Sequence, residues 1–527
     1  MRRSLATLTA TAVLIPLAVT AMPGAASAAT NTLTVHVYGR DGAKVKTKVS
    51  LVNLGNRYTY KLSAHKAYKL PKGTYVAAAE INSPDGTTVL GGRTVKVSGA
   101  SSTVIDARKG KRFRLALNPA VTEEAGTLIT ARVCGGPNKL VEASAWSGGL
   151  YVIPNGSDNL RLAYSAQWSD TRSTETSTTT VAKYATLDTL VGLPKNFNKT
   201  VQRSSLVPVT TTLRARSAVD QYQEVSLSSR AGGCARDLPV ASHGQGGAFK
   251  IPIHVPAGKW RFEAATMSEL LVRDRTFAKG ARYSQTFPVA GRGPTYDLPY
   301  TFGRSLIYMP EHMFADPGFD SGFPDSNGFH FATGVKTSTT LTKGGKTLKK
   351  QTISETFPSA SFRYTMKSAG WYGLTVHAKR EKTSYLAVPA GTFSYRTTAR
   401  FRFYANPNPT KYEVAPVYLT RFAPTGLNLY NEAKPGSTTN VNLTLQRKKP
   451  HQEEVKLGSA PKVKTMTAWA SYDNGKTWKK VGVTKSGSKW IAKVKNPGSG
   501  YVTLRAKVVD AKGNSSDITI YRAYKIG

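Results

Sequence analysis

The chain has 527 residues, with 73 Lys and Arg against 31 Asp and Glu and a formal net charge of +42. At ~100 to 200 residues per domain, that length excludes a single hydrophobic core and predicts three to five domains. A basic surplus of this size works against cationic partners and favours polyanions: cell-wall polymers, acidic polysaccharide, extracellular DNA or anionic lipid head groups.

Residues 1–28 carry Arg2 and Arg3, an apolar run from Leu5 to Met22 interrupted by Pro16, and Ala26-Ser27-Ala28. This pattern predicts a signal peptide cleaved after Ala28. Its removal takes two charges and leaves +40, that is, 42 less Arg2 and Arg3. Nothing downstream approaches eighteen uninterrupted apolar residues and a lipoprotein cysteine is missing, so a secreted or cell-surface-associated chain without a membrane span is expected.

From residue 30 onward, period-two alternation dominates. "LTVHV" (Leu33, Val35, Val37), "TVKVSG" (Val95, Val97) and "FRLAL" (Phe113, Leu115, Leu117) read as half-buried strands of a first β-sandwich over 30–116. Segment 117–300 holds the two cysteines, Cys134 and Cys234, in the glycine-flanked contexts "VCGGP" and "AGGCAR". An even count in an exported chain predicts one disulfide closing a loop of about a hundred residues, against the alternative of two buried thiols. Within it, "AKYATLDTLVG" at 182–192 could form a few helical turns. Segments 301–450 and 451–527 return to alternation, with "KWIAKV" and "YVTLRAKV" in the last. Turn signals recur at 40–42, 84–86, 473–475 and 496–498. Asn474-Gly475 between "TAWASY" and "TWKKV" predicts a two-residue hairpin, because both residues tolerate positive φ. The fold class expected is all-β, with several β-sandwiches in tandem.

A hexapeptide of apolar residue, Pro, any residue, Gly, any residue and aromatic occurs as "LPKGTY" (70–75), "VPAGKW" (255–260) and "VPAGTF" (388–393), with looser relatives "SAGWYG" (368–373) and "NPGSGYV" (496–502). Pro fixes the entry to a turn, Gly closes it, and the aromatic opens a strand and plugs the end of a sandwich core. The motif contains no acid, base or nucleophile.

The C-terminal stretch "ASYDNGKTWKKVGV" with "KWIAKVKNPGSGYVTLRAKVVDAKGNSSDITIYRAYKIG" resembles the terminal β-domain of large secreted subtilisin-like serine peptidases of actinomycetes. "LTVHVYGRDG", "KLPKGTYVAAAEI" and "VIDARKGK" are similar to the carboxypeptidase-regulatory-like sandwich that follows the catalytic domain in those enzymes, and "RFAPTGLNLYNEAKPGSTTNVNLTLQR" at 421–447 resembles their linker into the last domain. The resemblance implies the non-catalytic accessory half of such a peptidase, with a carboxypeptidase-regulatory-like domain at 30–116 and an Ig-like basic domain at 451–527. The family's Asp-Ser/Thr-Gly, His-Gly-Thr and Gly-Thr-Ser-Met-Ala motifs are absent, since "HGQ" at 243–245 and "PGST" at 435–438 do not match, so no catalytic residue carries over.

Other chemistry is sparse. The histidines His36, His65, His243, His254, His312, His330, His377 and His451 form no i, i+4 pair, and the cysteines no CxxC, which speaks against zinc. Ser147 precedes two glycines in "SAWSGG" without an esterase elbow around it. Asp316, Asp320, Asp325 and Asn327 in "ADPGFDSGFPDSNG" are hard oxygen donors on a kinked loop, a candidate calcium site against the alternative of Asx turns. Asp510, Asn514 and Asp517 read as a hairpin loop. Lys476, Lys479, Lys480, Lys493 and Lys495, close to Trp469, Trp478 and Trp490, form the candidate polyanion surface, against the alternative of an ordinary wet sheet face with its tryptophans in the core. The expected function is non-catalytic binding of envelope, matrix or acidic polymer. The alternatives are partnership with a secreted subtilisin-like peptidase and an enzyme with an unfamiliar site.

Overall fold

The computed structural model describes residues 31–527 apart from 122–123, 147, 175–176, 216–221, 267–268, 296–297, 311–312, 317–334, 355–360, 382–390 and 448–454; the segment 1–28 lies outside the described residues. The protein is all-β: the described residues form strands throughout, with three single-turn 3-10 helices at Ala107–Lys109, Arg203–Ser205 and Gly233–Ala235.

A three-stranded sheet (Ala67–Lys69, Thr32–Tyr38, Ala100–Asp106) covers one face of a seven-stranded sheet in the order Phe197–Gln202, Lys111–Asn118, Leu150–Val152, Thr88–Val97, Gly73–Asn82, Lys48–Asn53, Thr59–Ser63. Leu33, Val35 and Val37 meet Val49, Leu51, Tyr75, Ala77 and Ala79 there. The other face of the same sheet, including Val76, Ala78 and Leu90, packs with Ile129, Leu162, Tyr164 and Trp168 of a second seven-stranded sheet. Burial on both faces explains why "YVAAA" at 75–79 has no polar alternate positions. The strand Lys111–Asn118 runs across position 116, and residues on either side of it share this sheet.

The far end of the second seven-stranded sheet (Phe249–Val255, Val207–Leu213, Tyr283–Phe287) packs on a four-stranded sheet ordered Pro239–Gly246, Tyr222–Ser229, Gly258–Thr266, Glu269–Phe277. Residues 182–192 are not helical. Residues 182–191 lie in the strand Thr178–Val191, antiparallel to Leu160–Ser173, because long pairing with a buried central strand outweighs the propensity of Ala and Leu.

The C-terminal half is one large core between a small sheet (Phe362–Thr365, Ser305–Tyr308, Tyr300–Phe302, Tyr412–Val414) and a twelve-stranded sheet. The strand Arg396–Ala405 pairs with Ser515–Ile526 from Arg396↔Tyr521 to Arg402↔Ser515, which joins residues on both sides of position 450 in one sheet. Residues 421–447, expected as a linker, supply strands Leu419–Pro424, Glu432–Ala433 and Thr438–Gln446.

The hexapeptide has a shared geometry. Gly73, Gly258 and Gly370 each open a strand, and the aromatic two residues on is buried: Tyr75 at 0 %, Trp260 at 1 % and Tyr372 at 1 % exposure. Each ring's polar tip donates to the carbonyl four residues earlier: Tyr75 Oη to Pro71 O at 2.7 Å, Trp260 Nε1 to Pro256 O at 3.0 Å, and Tyr372 Oη to Ser368 O at 2.6 Å. The ring fills the core end while its tip is tied to the turn that precedes the strand. Gly258 (φ 148°) and Gly370 (φ 151°) hold backbone geometry that a side chain disfavours. The third copy departs from expectation. Residues 388–390 lie outside the described residues, and Phe393, though 4 % exposed, sits in a turn before the strand Arg396–Ala405. Phenylalanine has no tip to tie back.

A candidate polyanion-binding face

In "RTTARFRFYA" the odd positions Thr397, Ala399, Phe401 and Phe403 enter the core, which turns Arg396, Thr398, Arg400, Arg402 and Tyr404 to the outer face. Register then aligns distant segments across that face. One row runs Thr375, Arg400, Asp517, Lys507 and a second runs His377, Thr398, Thr519, Arg505, Trp469, Lys480. Lys379 lies opposite both Lys336 and Arg396, and Lys350 opposite Thr340. Along these strands, among the described residues, the cations Lys336, Lys350, Lys379, Arg396, Arg400, Arg402, Lys507, Arg505 and Lys480 share the face with one strand carboxylate, Asp517.

That carboxylate is already spent, since Arg505 Nη2 and Nε reach Asp517 at 2.5 and 2.9 Å. Several arginines lie over rings: Arg402 over Trp371 at 4.0 Å, Arg396 over Tyr521 at 3.7 Å, Arg522 over Tyr395 and Tyr501 at 4.9 and 5.0 Å, and Arg505 over Trp469 and Trp478 at 5.0 and 5.7 Å. A ring beneath a guanidinium does not itself consume its N–H donors; Arg505 spends its own on Asp517 and Arg402 Nη1 donates to Gly513 O at 2.9 Å, which leaves the other N–H groups of Arg402 for an anionic partner. Burial, then the charges of Arg400 and Arg396, hold the His377 imidazole below its ordinary value, as a positive field should.

The loop Tyr472–Trp478 completes the face and corrects the expected two-residue hairpin. Asn474 and Gly475 do adopt positive φ (62° and 88°), but the ladder ends at Ala470↔Lys479. Asp473 widens the turn by accepting from Thr477 Oγ1 at 2.5 Å, Thr477 N at 2.9 Å, Ser471 Oγ at 2.7 Å and Lys476 N at 3.0 Å. These bonds, those from Thr477 foremost, hold its carboxyl well below the usual range. Asn474 Nδ2 donates to Tyr395 Oη at 2.9 Å, and a Cβ on Gly475 would meet Tyr521 at 2.9 Å, so the loop lies against the face.

All five predicted lysines are exposed, but they do not form one cluster. Lys480 lies opposite Trp469 on this face, and Lys493 lies opposite Gly482 and Asn440 further round the sheet, with Lys495 opposite Thr438. Lys479 turns to the ring of Tyr472 at 5.9 Å, and Lys476 is in the loop. Trp469 and Trp478 are half-buried on either side of Arg505, whereas Trp168 and Trp260 are core residues. Sequence reasoning missed the arginines. The legible signal was the Arg-x-Thr-x-Arg-x-Arg-x-Tyr alternation from 396 to 404.

Of the calcium candidates, Asp320, Asp325 and Asn327 lie outside the described residues. Asp316 is 1 % exposed, and its carboxylate accepts from Val289 N at 2.8 Å while its carbonyl accepts from Arg421. Asp510 accepts from Lys512 N and Asn514 N at 2.8 Å each, the hairpin loop expected there. Among the described residues no three His, Cys, Asp or Glu side chains are grouped to hold a metal ion. His312, His330, His451 and Ser147 lie outside the described residues. Cys134 and Cys234 are bonded, at a sequence separation of 100. No helix among the described residues is long and apolar enough to cross a membrane.

No protein-family model and no curated protein matches the chain. Among solved structures it is similar to the FN1–FN3 domains of chicken CNTN1 (12 % identity, 68 % of this chain and 94 % of that one, TM-score 0.15) and to a streptococcal ancillary pilin (9 %, 49 % and 98 %, 0.12). It is also similar to Salmonella alpha-2-macroglobulin reacted with methylamine (10 %, 94 % and 39 %, 0.16). These superpositions are too loose to bear on fold or role.

Proposed function

We propose that this chain is an exported, non-catalytic binding protein that holds an acidic polymer of the cell envelope or matrix on the outer face of its C-terminal sheet. The observation that carries the reading is the alignment of basic residues on one sheet face: Arg400 and Lys507 flank Asp517, which Arg505 has already neutralised, and Arg402 and Lys480 lie on the same face. An open sheet face carrying arginines and lysines suits a repeating anionic chain more than a small ligand in a pocket. Export is supported by the leader-like segment at 1–28 and by the disulfide, which belongs to oxidising compartments.

Retention of the chain on isolated cell wall and on a soluble polyuronate tests this. Binding should weaken steeply between about 50 mM and about 500 mM salt, and each of Arg400→Ala, Arg402→Ala and Lys480→Ala should flatten the salt slope by about one unit. Co-purification with a subtilisin-like peptidase at both salts would instead support the alternative of an accessory to secreted proteolysis. Absence of binding in every arm would reject both.

A further inference from the structure

A separate site lies in the other half of the chain, on the side of the four-stranded sheet that faces away from its core. Val225, Leu227, Phe262 and Ala264 point inward there. Their neighbours form two outward rows, Ser242–Ser226–Glu263 and Pro239–Ser228–Arg261–Asp274. Leu128 and Thr130 of the strand Glu124–Gly135, with Ser165 and Gln167 of Leu160–Ser173, supply the opposite wall, and the cavity between holds about 470 Å³. That falls in the range of small-ligand sites, and junctions between packed units are where such sites occur.

The third wall, residues 230–238, is held rigidly. The disulfide joins Cys234 to the strand Glu124–Gly135, and Arg132 Nη1 donates to Cys234 O at 3.1 Å and Arg236 O at 2.5 Å. The charges are unevenly matched. Arg230 takes Asp237 at 2.9 Å and Asp274 at 3.3 Å, and Arg261 takes Asp274 at 3.0 Å. Both aspartates are thereby occupied. Arg236 remains at the rim, 59 % exposed, with Asp237 no nearer than 3.8 Å. Glu263 remains inside, half-buried, without a hydrogen bond or ion pair among the described residues. Burial first, and then the charges of Asp237 and Asp274, raise its pKa against the pull of Arg261. On the far side of Arg230 and Arg236 a second cavity of about 580 Å³ is lined by Lys259, Arg275 and Asp274.

We propose that this cavity binds one sugar unit bearing a carboxylate, whose ring hydroxyls donate to Glu263 and bond with Ser226 and Ser242 while its carboxylate pairs with Arg236 at the rim. Vicinal hydroxyls are the donors a half-desolvated carboxylate lacks, and they leave no buried acceptor unpaired. A neutral sugar would leave Arg236 unused.

Titration of the full chain with glucuronate and with glucose, followed calorimetrically, tests the site. Glucuronate should bind at least about tenfold more tightly than glucose, and Glu263→Gln or Arg236→Ala should each weaken it about tenfold, as removal of a hydrogen bond to a charged group does. Saturation-transfer NMR on the unaltered chain should show contact with the ring protons, so the proposal stays testable should a variant misfold. Failure of glucuronate to bind the unaltered chain, equal binding of glucose, or insensitivity to both substitutions would overturn it.

Discussion

His243, His254 and His377 are held below the ordinary imidazole value by burial first, and then by Lys183 beside His243, Arg203 and Arg282 beside His254, and Arg400 and Arg396 beside His377. Above the ordinary value of 6.5 both folded and unfolded chains carry neutral rings, so nothing is lost. As pH falls below that value the unfolded chain takes up protons that the folded one refuses, and stability declines. The melting temperature should therefore fall between about pH 6.5 and about pH 5, by an amount that shrinks in a His254→Gln chain. A melting temperature that rises over this interval would contradict the assignment of these rings as neutral in the folded chain.

Strands that open on Gly73, Gly258 and Gly370 are anchored by a ring whose tip binds the carbonyl four residues back. Tyr372→Phe keeps the ring and loses the bond, so it should cost about 1 kcal/mol in denaturant unfolding. Trp260→Ala also opens a hole in a site 1 % exposed and should cost about 3 to 5 kcal/mol. If both changes cost the same, ring packing is not the larger part of the device. The period-two pattern was plain in the strands that open on Gly258 and Gly370, because alternation needs only local backbone geometry, whereas burial on both faces removes it from Gly73–Asn82. The segment at 182–192 and the turn at 474–475 were not. In the first a long antiparallel partner overrode propensity, and in the second the Asp473 carboxylate gathered donors that a two-residue turn leaves to water.

Across the whole molecule, sheets are shared between successive segments. Removing residues 451–527 would strip Ser515–Ile526 from the flank of Arg396–Ala405 and leave Phe401, Leu374 and Leu419 without part of their core. A chain ending at 450 should show rapid proteolysis throughout 301–450 while 31–290 stays protected. Resistance of the truncated part equal to that of the full chain would mean that the two segments fold independently. In the first half, the Cys134–Cys234 bond closes a loop of 100 residues, and a Cys134→Ala/Cys234→Ala pair should lower stability by about 4 to 5 kcal/mol on the chain-entropy estimate.

The sequence by itself determined the fold class, the alternating strands, the core-facing residue of each hexapeptide and the pairing of its two cysteines, because each follows from local periodicity or from having one possible partner. Only the tertiary structure decided which strands are neighbours. Arg400 and Lys507 lie more than a hundred positions apart, yet they flank the same aspartate. Alternation tells which way a side chain points but carries no information on the register between distant strands, and it is register that assembles dispersed basic residues into a face.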